Sequence, residues 1–145
     1  MRRSVLMLVM FTTLHARADA PAHHYEVDAN AVAVRDTATK LTWQRAFEPM
    51  PRQWNNANAY CKELALDGGG WRLPTLKELL TLVDPSRSTP PVLDTNAFPD
   101  TPSGIFWSSN SYVADNTYAW TVDFSQGNSA KDHAKSAAAY IRCVR

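Results

Sequence analysis

The run Gly68-Gly69-Gly70-Trp71-Arg72-Leu73-Pro74-Thr75-Leu76-Lys77-Glu78-Leu79-Leu80-Thr81-Leu82-Val83-Asp84 constrains the fold more than any other part of the chain. Three glycines release the backbone from what precedes them, so a helix is expected to end there. Trp71 and Leu73 are apolar anchors in an extended segment, and Pro74 keeps Leu73 out of the helical region. Thr75 and Glu78 have the spacing of a capping box, in which each side chain satisfies an orphan N–H of a helix start. Leu76, Leu79, Leu80 and Val83 then give an apolar face at helical period, and Asp84-Pro85 stops it. Trp71, Arg72, Leu73, Pro74, Thr75 and Glu78 therefore read as a structural motif. Arg72, between two core anchors, is expected to bond backbone carbonyls across a helix–sheet junction.

The chain upstream reads differently. Arg2 and Arg3 form a basic lead, Ser4 to Leu14 an apolar run, and Ala16-Arg17-Ala18 a small-x-small cleavage site. Residues 1–18 are thus expected to be a signal peptide cut after Ala18; a cut after Ala20 would place Pro21 at the next position. Residues 19–145 form one domain by length. No later stretch approaches the twenty apolar residues of a spanning helix, so a periplasmic or secreted mature protein is expected. Its 15 Lys and Arg lose Arg2, Arg3 and Arg17, leaving 12 against 14 Asp and Glu, a formal charge of −2. That balance argues against nucleic acid as a partner, which would demand a basic face. Cys61 and Cys143 are the two cysteines. In an export context an even count reads as a bridge; redox work is the alternative, but it usually shows as Cys-x-x-Cys. A bridge of this span is worth roughly 4–5 kcal/mol by chain-entropy bookkeeping.

Along the domain, Tyr25–Val27, Ala31–Val34 and Leu41–Arg45 read as short strands, with a turn at Asp36–Thr39. Residues 46–52, holding Pro49 and Pro51, read as a loop. Gln53 to Leu66 reads as a helix with Trp54, Ala57, Cys61, Leu64 and Ala65 on one face. Residues 84–104 carry five prolines and read as a long irregular segment with Leu93 and Phe98 tucked in. Ile105–Ser109, Tyr118–Phe124 and Ala138–Val144 are expected strands. Tyr118, Trp120, Val122 and Phe124 alternate onto one side, and a turn falls at Gln126–Asn128. The expected class is α+β, with two helices packed on a small, mostly antiparallel sheet, long irregular loops and one disulfide.

Six segments in order carry a resemblance: Leu41-Thr42-Trp43-Gln44; Ala59-Tyr60-Cys61; Gly70 to Thr75 with Glu78-Leu79; Phe106-Trp107-Ser108-Ser109; Ala119-Trp120-x-Val122-x-Phe124-x-x-Gly127; and Tyr140 to Arg145. Together they resemble the bacterial family typified by the C-terminal domain of the Legionella collagen-like adhesin, over about residues 27–145. The resemblance implies a C-type-lectin-like fold, related to the formylglycine-generating enzymes, and a Cys61–Cys143 pair. The adhesin is associated with sulfated glycans, but no collagen-like region precedes the domain here.

Chemistry is sparser. Oxidase work of the formylglycine type needs two reactive thiols on copper, and both cysteines are better assigned to one bridge. Calcium-dependent sugar binding in true C-type lectins uses a Glu-Pro-Asn or Gln-Pro-Asp loop; Glu48-Pro49-Met50 stands elsewhere, and Trp120-Thr121-Val122-Asp123 lacks the ligand pair. Asp94, Asn96, Asp100 and Asp115 match no calcium loop. His23-His24 and the Ser108, Ser109 and His133 set form no metal pair or nucleophile elbow. No cofactor, metal or catalytic residue is expected. What stays is a binding module, not an enzyme, whose partner is a glycan or another protein outside the cytoplasm. Its expected recognition surface is the residue 84–104 loop with the connections at 110–117 and 125–135, and its candidate ligand residues are Lys131, His133, Lys135, Asp115 and Asn116. Lys131 and Lys135, with Arg142 and Arg145, would form an anion-binding patch.

Overall fold

A computed structural model describes residues 25–145. The expected signal peptide, its cleavage point and the His23-His24 pair lie outside the described residues. Strands β1 (Tyr25–Val27), β2 (Ala33–Asp36) and β3 (Thr42–Gln44) form an antiparallel meander. Two aspartates set its turns. Asp28 Oδ1 accepts from the Val32 and Ala33 amides at 2.8 and 3.0 Å. The Asp36 carboxylate accepts from the Ala38 amide and the Thr39 hydroxyl at 2.8 and 2.7 Å, the local bonding that makes Asp a turn former.

Residues 46–52 are not all loop. Glu48–Arg52 form strand β4, one of the two edge strands of a five-stranded sheet ordered β4-β8-β5-β6-β7. It pairs with β8 at Glu48↔Ile141 and Arg52↔Ala139, with an irregularity between them that holds Pro49 and Pro51. A proline lacks the N–H a ladder needs, which an edge strand tolerates and a central strand does not. Both prolines signalled edge rather than loop.

Helix α1 spans Trp54–Glu63, shorter than the expected 53–66. Ala57 and Cys61 are its buried residues. Leu64 is already extended, and a single 3-10 turn at Leu66–Gly68 follows. The glycines thus do not end the helix directly. With φ of 85°, 79° and 80° at Gly68, Gly69 and Gly70, they build a left-handed connector that delivers Trp71 to the core. Helix α2 spans Leu76–Leu80 and begins with the expected capping box: Thr75 Oγ1 accepts from the Glu78 amide at 3.2 Å, and Glu78 Oε2 from the Thr75 amide at 2.8 Å.

Residues 84–104 run without regular structure, and Val92, Leu93, Ala97 and Phe98 are buried. Then come β5 (Ile105–Ser111), β6 (Tyr118–Asp123), β7 (Asn128–Ala134) and β8 (Ala139–Ile141). β7 occupies most of what reads from sequence as a connection. Its alternation is masked because it is an exposed edge strand, with only one neighbour and little apolar content. The expected last strand splits in two. β8 pairs antiparallel with β4 and parallel with β5, at Phe106↔Tyr140, so the sheet is mixed. Residues 143–145 instead join the other sheet: the Gln44 and Thr42 amides donate to the Cys143 and Arg145 carbonyls, both at 2.9 Å.

Side chains fill both faces of the central strands. Phe106, Val122 and Phe124 join Leu79, Leu82, Leu93 and Phe98 on one side. Trp107 and Ala119 join Ala57, Cys61, Trp71 and Leu73 on the other. Tyr118, Trp120, Val122 and Phe124 alternate as expected along β6 and just past its end, but Ala119 and Thr121 between them are buried too, Ala119 in the cluster that holds Ala57 and Cys61 of α1. The Cys61–Cys143 disulfide lies in that second cluster, fully buried, with a sequence separation of 82. The fold is α+β, with two helices on one antiparallel and one mixed sheet and one disulfide.

Candidate functional site

The motif around Trp71 is spent on structure. Arg72 forks onto Glu78, Nη1 to Oε2 at 2.8 Å and Nη2 to Oε1 at 2.7 Å, instead of bonding mainly to carbonyls. The guanidinium, helped by the Thr75 amide and hydroxyl, holds the Glu78 carboxyl down at about 2 against a partial desolvation that raises it. The Trp71 indole donates to the Leu66 carbonyl at 2.6 Å. Leu73 and Pro74 are buried beside it.

The cations near the chain end are also committed. Arg142 is fully buried. Its Nη1 donates to the Gln44 and Arg45 carbonyls, its Nη2 to the Thr101 hydroxyl at 2.7 Å, and it lies 4.7 Å from the Phe98 ring. Burial pushes its pKa down, yet a guanidinium stays cationic at neutral pH. Arg145 stacks 4.7 Å over Trp71 and bonds the Asp67 carboxylate and the Asp67 and Gly69 carbonyls. Neither arginine stands with Lys131 or Lys135.

The five candidate ligand residues are dispersed. His133 lies on β7 with its ring 4.7 Å from that of buried Trp107, and its Nε2 is 3.3 Å from the Ala138 carbonyl. Lys135 lies 4.2 Å over the Trp54 ring and donates to the Ser111 hydroxyl at 2.7 Å. Asn116 is exposed in the turn between β5 and β6. Asp115 and Lys131 do come together. They line a shallow cavity of about 160 Å³ with Tyr112, Tyr118 and Asp132.

Local chemistry builds this cavity. The turn closes with Tyr112 N–H to the Tyr118 carbonyl at 2.9 Å and Tyr118 N–H to the Asp115 carbonyl at 3.1 Å. Asp115 Oδ1 accepts from the Thr117 amide and hydroxyl at 3.0 and 2.7 Å, and these bonds lower its pKa. On the facing strand, pairing skips a residue between Ala119↔His133 and Thr121↔Ala130. Lys131 and Asp132 sit at that bulge, a device that re-aims side chains at an edge. The Lys131 ammonium is 3.4 Å from the Tyr112 hydroxyl and 5.1 Å from its ring centre, and Tyr112 meets Trp120 edge-on at 6.2 Å. Sequence reasoning passed over Tyr112, Tyr118 and Asp132. The signal available was two tyrosines bracketing a polar run of turn length.

A larger cavity, of about 310 Å³, lies against the meander and is lined by Glu26, Asp28, Arg35, Asp67 and Arg145 among others. Among the described residues no three His, Cys, Asp or Glu gather as a metal-binding group. Asp94 turns its Oδ1 onto the Asn96 and Ala97 amides instead.

These features define a disulfide-bridged α+β domain that displays an aromatic and charged hairpin at one edge of its sheet. The family model of the Lcl C-terminal domain matches residues 32–145, and the chain belongs to that family. That membership and the buried disulfide are consistent with an extracellular location. None of the curated proteins compared with the chain matches it. No helix among the described residues is long and apolar enough to cross a membrane.

Proposed function

We propose that this chain is an exported, non-enzymatic recognition module that binds a glycan or another surface ligand outside the cytoplasm, on a C-type-lectin-like scaffold. One observation carries the reading. The side chains with chemical potential in the motifs are consumed in holding the fold, whereas the Tyr112–Tyr118 hairpin and the β7 bulge leave aromatic and charged groups facing solvent around a cavity. Loops and turns held by a rigid scaffold are where recognition commonly resides. Both cysteines are tied in the buried disulfide, which removes the thiol pair that formylglycine-type oxidation requires. Family membership and the disulfide agree with life outside the cytoplasm, where thiols stay oxidised; cleavage after Ala18 would release the domain to the periplasm or beyond.

The test is a glycan array and a pull-down from cell-surface extract with residues 19–145, each with and without calcium. Retention of a defined ligand, lost on replacing residues 112–118 with a glycine-serine turn, is the expected outcome. Silence in both assays sinks ligand recognition by this hairpin. A protein ligand is the second reading, favoured by Val113, an apolar residue 98% exposed at the hairpin tip. Crosslinking from position 113 in the native host separates it from sugar binding, because only a protein partner gives a defined adduct.

A further inference from the structure

The hairpin cavity also restricts the chemistry of its occupant, on the footing of the recognition reading just given. Its charged lining is Lys131 against Asp115 and Asp132, one positive and two negative groups. Lys131 is already engaged on the face and hydroxyl of Tyr112. A sulfate or carboxylate would have to draw that ammonium away while facing two like charges, an arrangement that selects against anions. A cation would be drawn by the two carboxylates but would meet the Lys131 ammonium at the same wall. An uncharged ligand meets neither penalty.

The remaining groups are those a ring of hydroxyls uses. Oδ2 of Asp115 is left to accept once Oδ1 has taken both Thr117 donors. Asp132 is exposed at the bulge. Hydroxyl-to-carboxylate bonds are the stronger, charge-assisted kind. Tyr112 and Tyr118 supply half-buried ring faces for C–H contact and two phenolic hydroxyls that donate or accept. A volume of about 160 Å³ lies below the roughly 300–1,000 Å³ that holds drug-sized ligands, which leaves room for one ring. From this lining we infer that the cavity binds a single uncharged hexopyranose unit, as a terminal residue of a neutral glycan. The sugar ring packs on Tyr118 and the outer edge of Tyr112, and Asp115 and Asp132 accept from its hydroxyls while Lys131 stays on Tyr112. A ligand of about a dozen heavy atoms at drug-like efficiency binds in the millimolar range.

Isotope-labelled protein spanning residues 19–145, titrated by NMR, tests this. The probes are methyl α-mannopyranoside, methyl β-galactopyranoside, methyl β-N-acetylglucosaminide and a heparin tetrasaccharide. At least one neutral glycoside is expected to shift the amides of residues 112–118 and 131–132 saturably at millimolar concentration. Tyr118→Ala and the surface change Asp132→Asn should each weaken it about tenfold or more, the latter without moving the thermal midpoint. If heparin alone shifts those amides, and Lys131→Met abolishes the effect, the neutral-sugar assignment is overturned while recognition by the hairpin stands. If no saccharide shifts them, the assignment and glycan recognition at this hairpin fall together.

Discussion

Glu78 performs two tasks with one carboxylate: it closes the capping box through Oε2 and receives the Arg72 fork through both oxygens. Its folded pKa lies near 2, below the ordinary 4.5. A depressed acid stabilises the fold above its unfolded pKa, and that contribution is lost as pH falls from about 4.5 through about 2. Arg72 is 45% exposed at its side chain, so solvent screening keeps the ion pair itself to about 1 kcal/mol or less. Glu78→Gln should therefore lower stability modestly at pH 7 and flatten the acid limb of a urea-midpoint profile between pH 5 and 2. An acid limb as steep as wild type would remove Glu78 from that role. Arg142 presents the opposite economy. No carboxylate pairs with it among the described residues, and its fork instead satisfies two carbonyls and a hydroxyl deep in the core. Arg142→Leu should cost about 3 kcal/mol or more in denaturant unfolding, because it orphans those acceptors. Sequence alone placed Arg142 in a surface patch; a single arginine between Ile141 and Cys143 does not reveal that backbone carbonyls, not an anion, will meet it.

At the level of elements, α2 is only five residues long, too short to persist on propensity, so its cap and its packing carry it. Thr75→Ala should cost about 1 kcal/mol, read as a shift in urea midpoint at unchanged slope. The turn from β6 to β7 is more demanding. Gly127 has φ +75°, and a Cβ there would stand 2.7 Å from Val83 Cγ1 and 3.2 Å from Val92 Cγ2. Gly127→Ala should thus cost about 2 kcal/mol or more, through strain and overpacking together, and lower the thermal midpoint by roughly 4 °C per kcal/mol. What was legible in the sequence was local: the capping box, the turn at Asp36, the regular alternation of β6. The misreadings occurred where neighbours decide. Pro49 and Pro51 look like a loop until β8 makes them an edge, and residues 128–134 look like a loop until β6 pairs with them around the Lys131-Asp132 bulge. The cavity was half legible, through Asp115 and Lys131; Tyr112, Tyr118 and Asp132 join it only because a bulge aligns the two strands.

Over the whole molecule, the bridge ties α1 to the segment leaving the five-stranded sheet, closing a loop of 82 residues. Chain entropy makes that worth about 4.5 kcal/mol. Reduction, or Cys61→Ser with Cys143→Ser, should lower unfolding free energy by an amount of that order, measured in urea with and without reductant. An unchanged midpoint would show that the buried contacts hold the fold unaided. A further consequence follows from the division of the last seven residues. Residues 139–141 lie between β4 and β5, and residues 142–145 lie against β3 and Arg72. They act as a keystone laid last: the β1-β2-β3 meander and the β5-β6-β7 strands can pair before it, but β4 has no partner, and no backbone ladder joins the two sheets, until this segment arrives. Long-range closure of that kind is slow to form. A chain threaded outward from its N-terminus would consequently stay loose along its length and lock only once its final strand had passed.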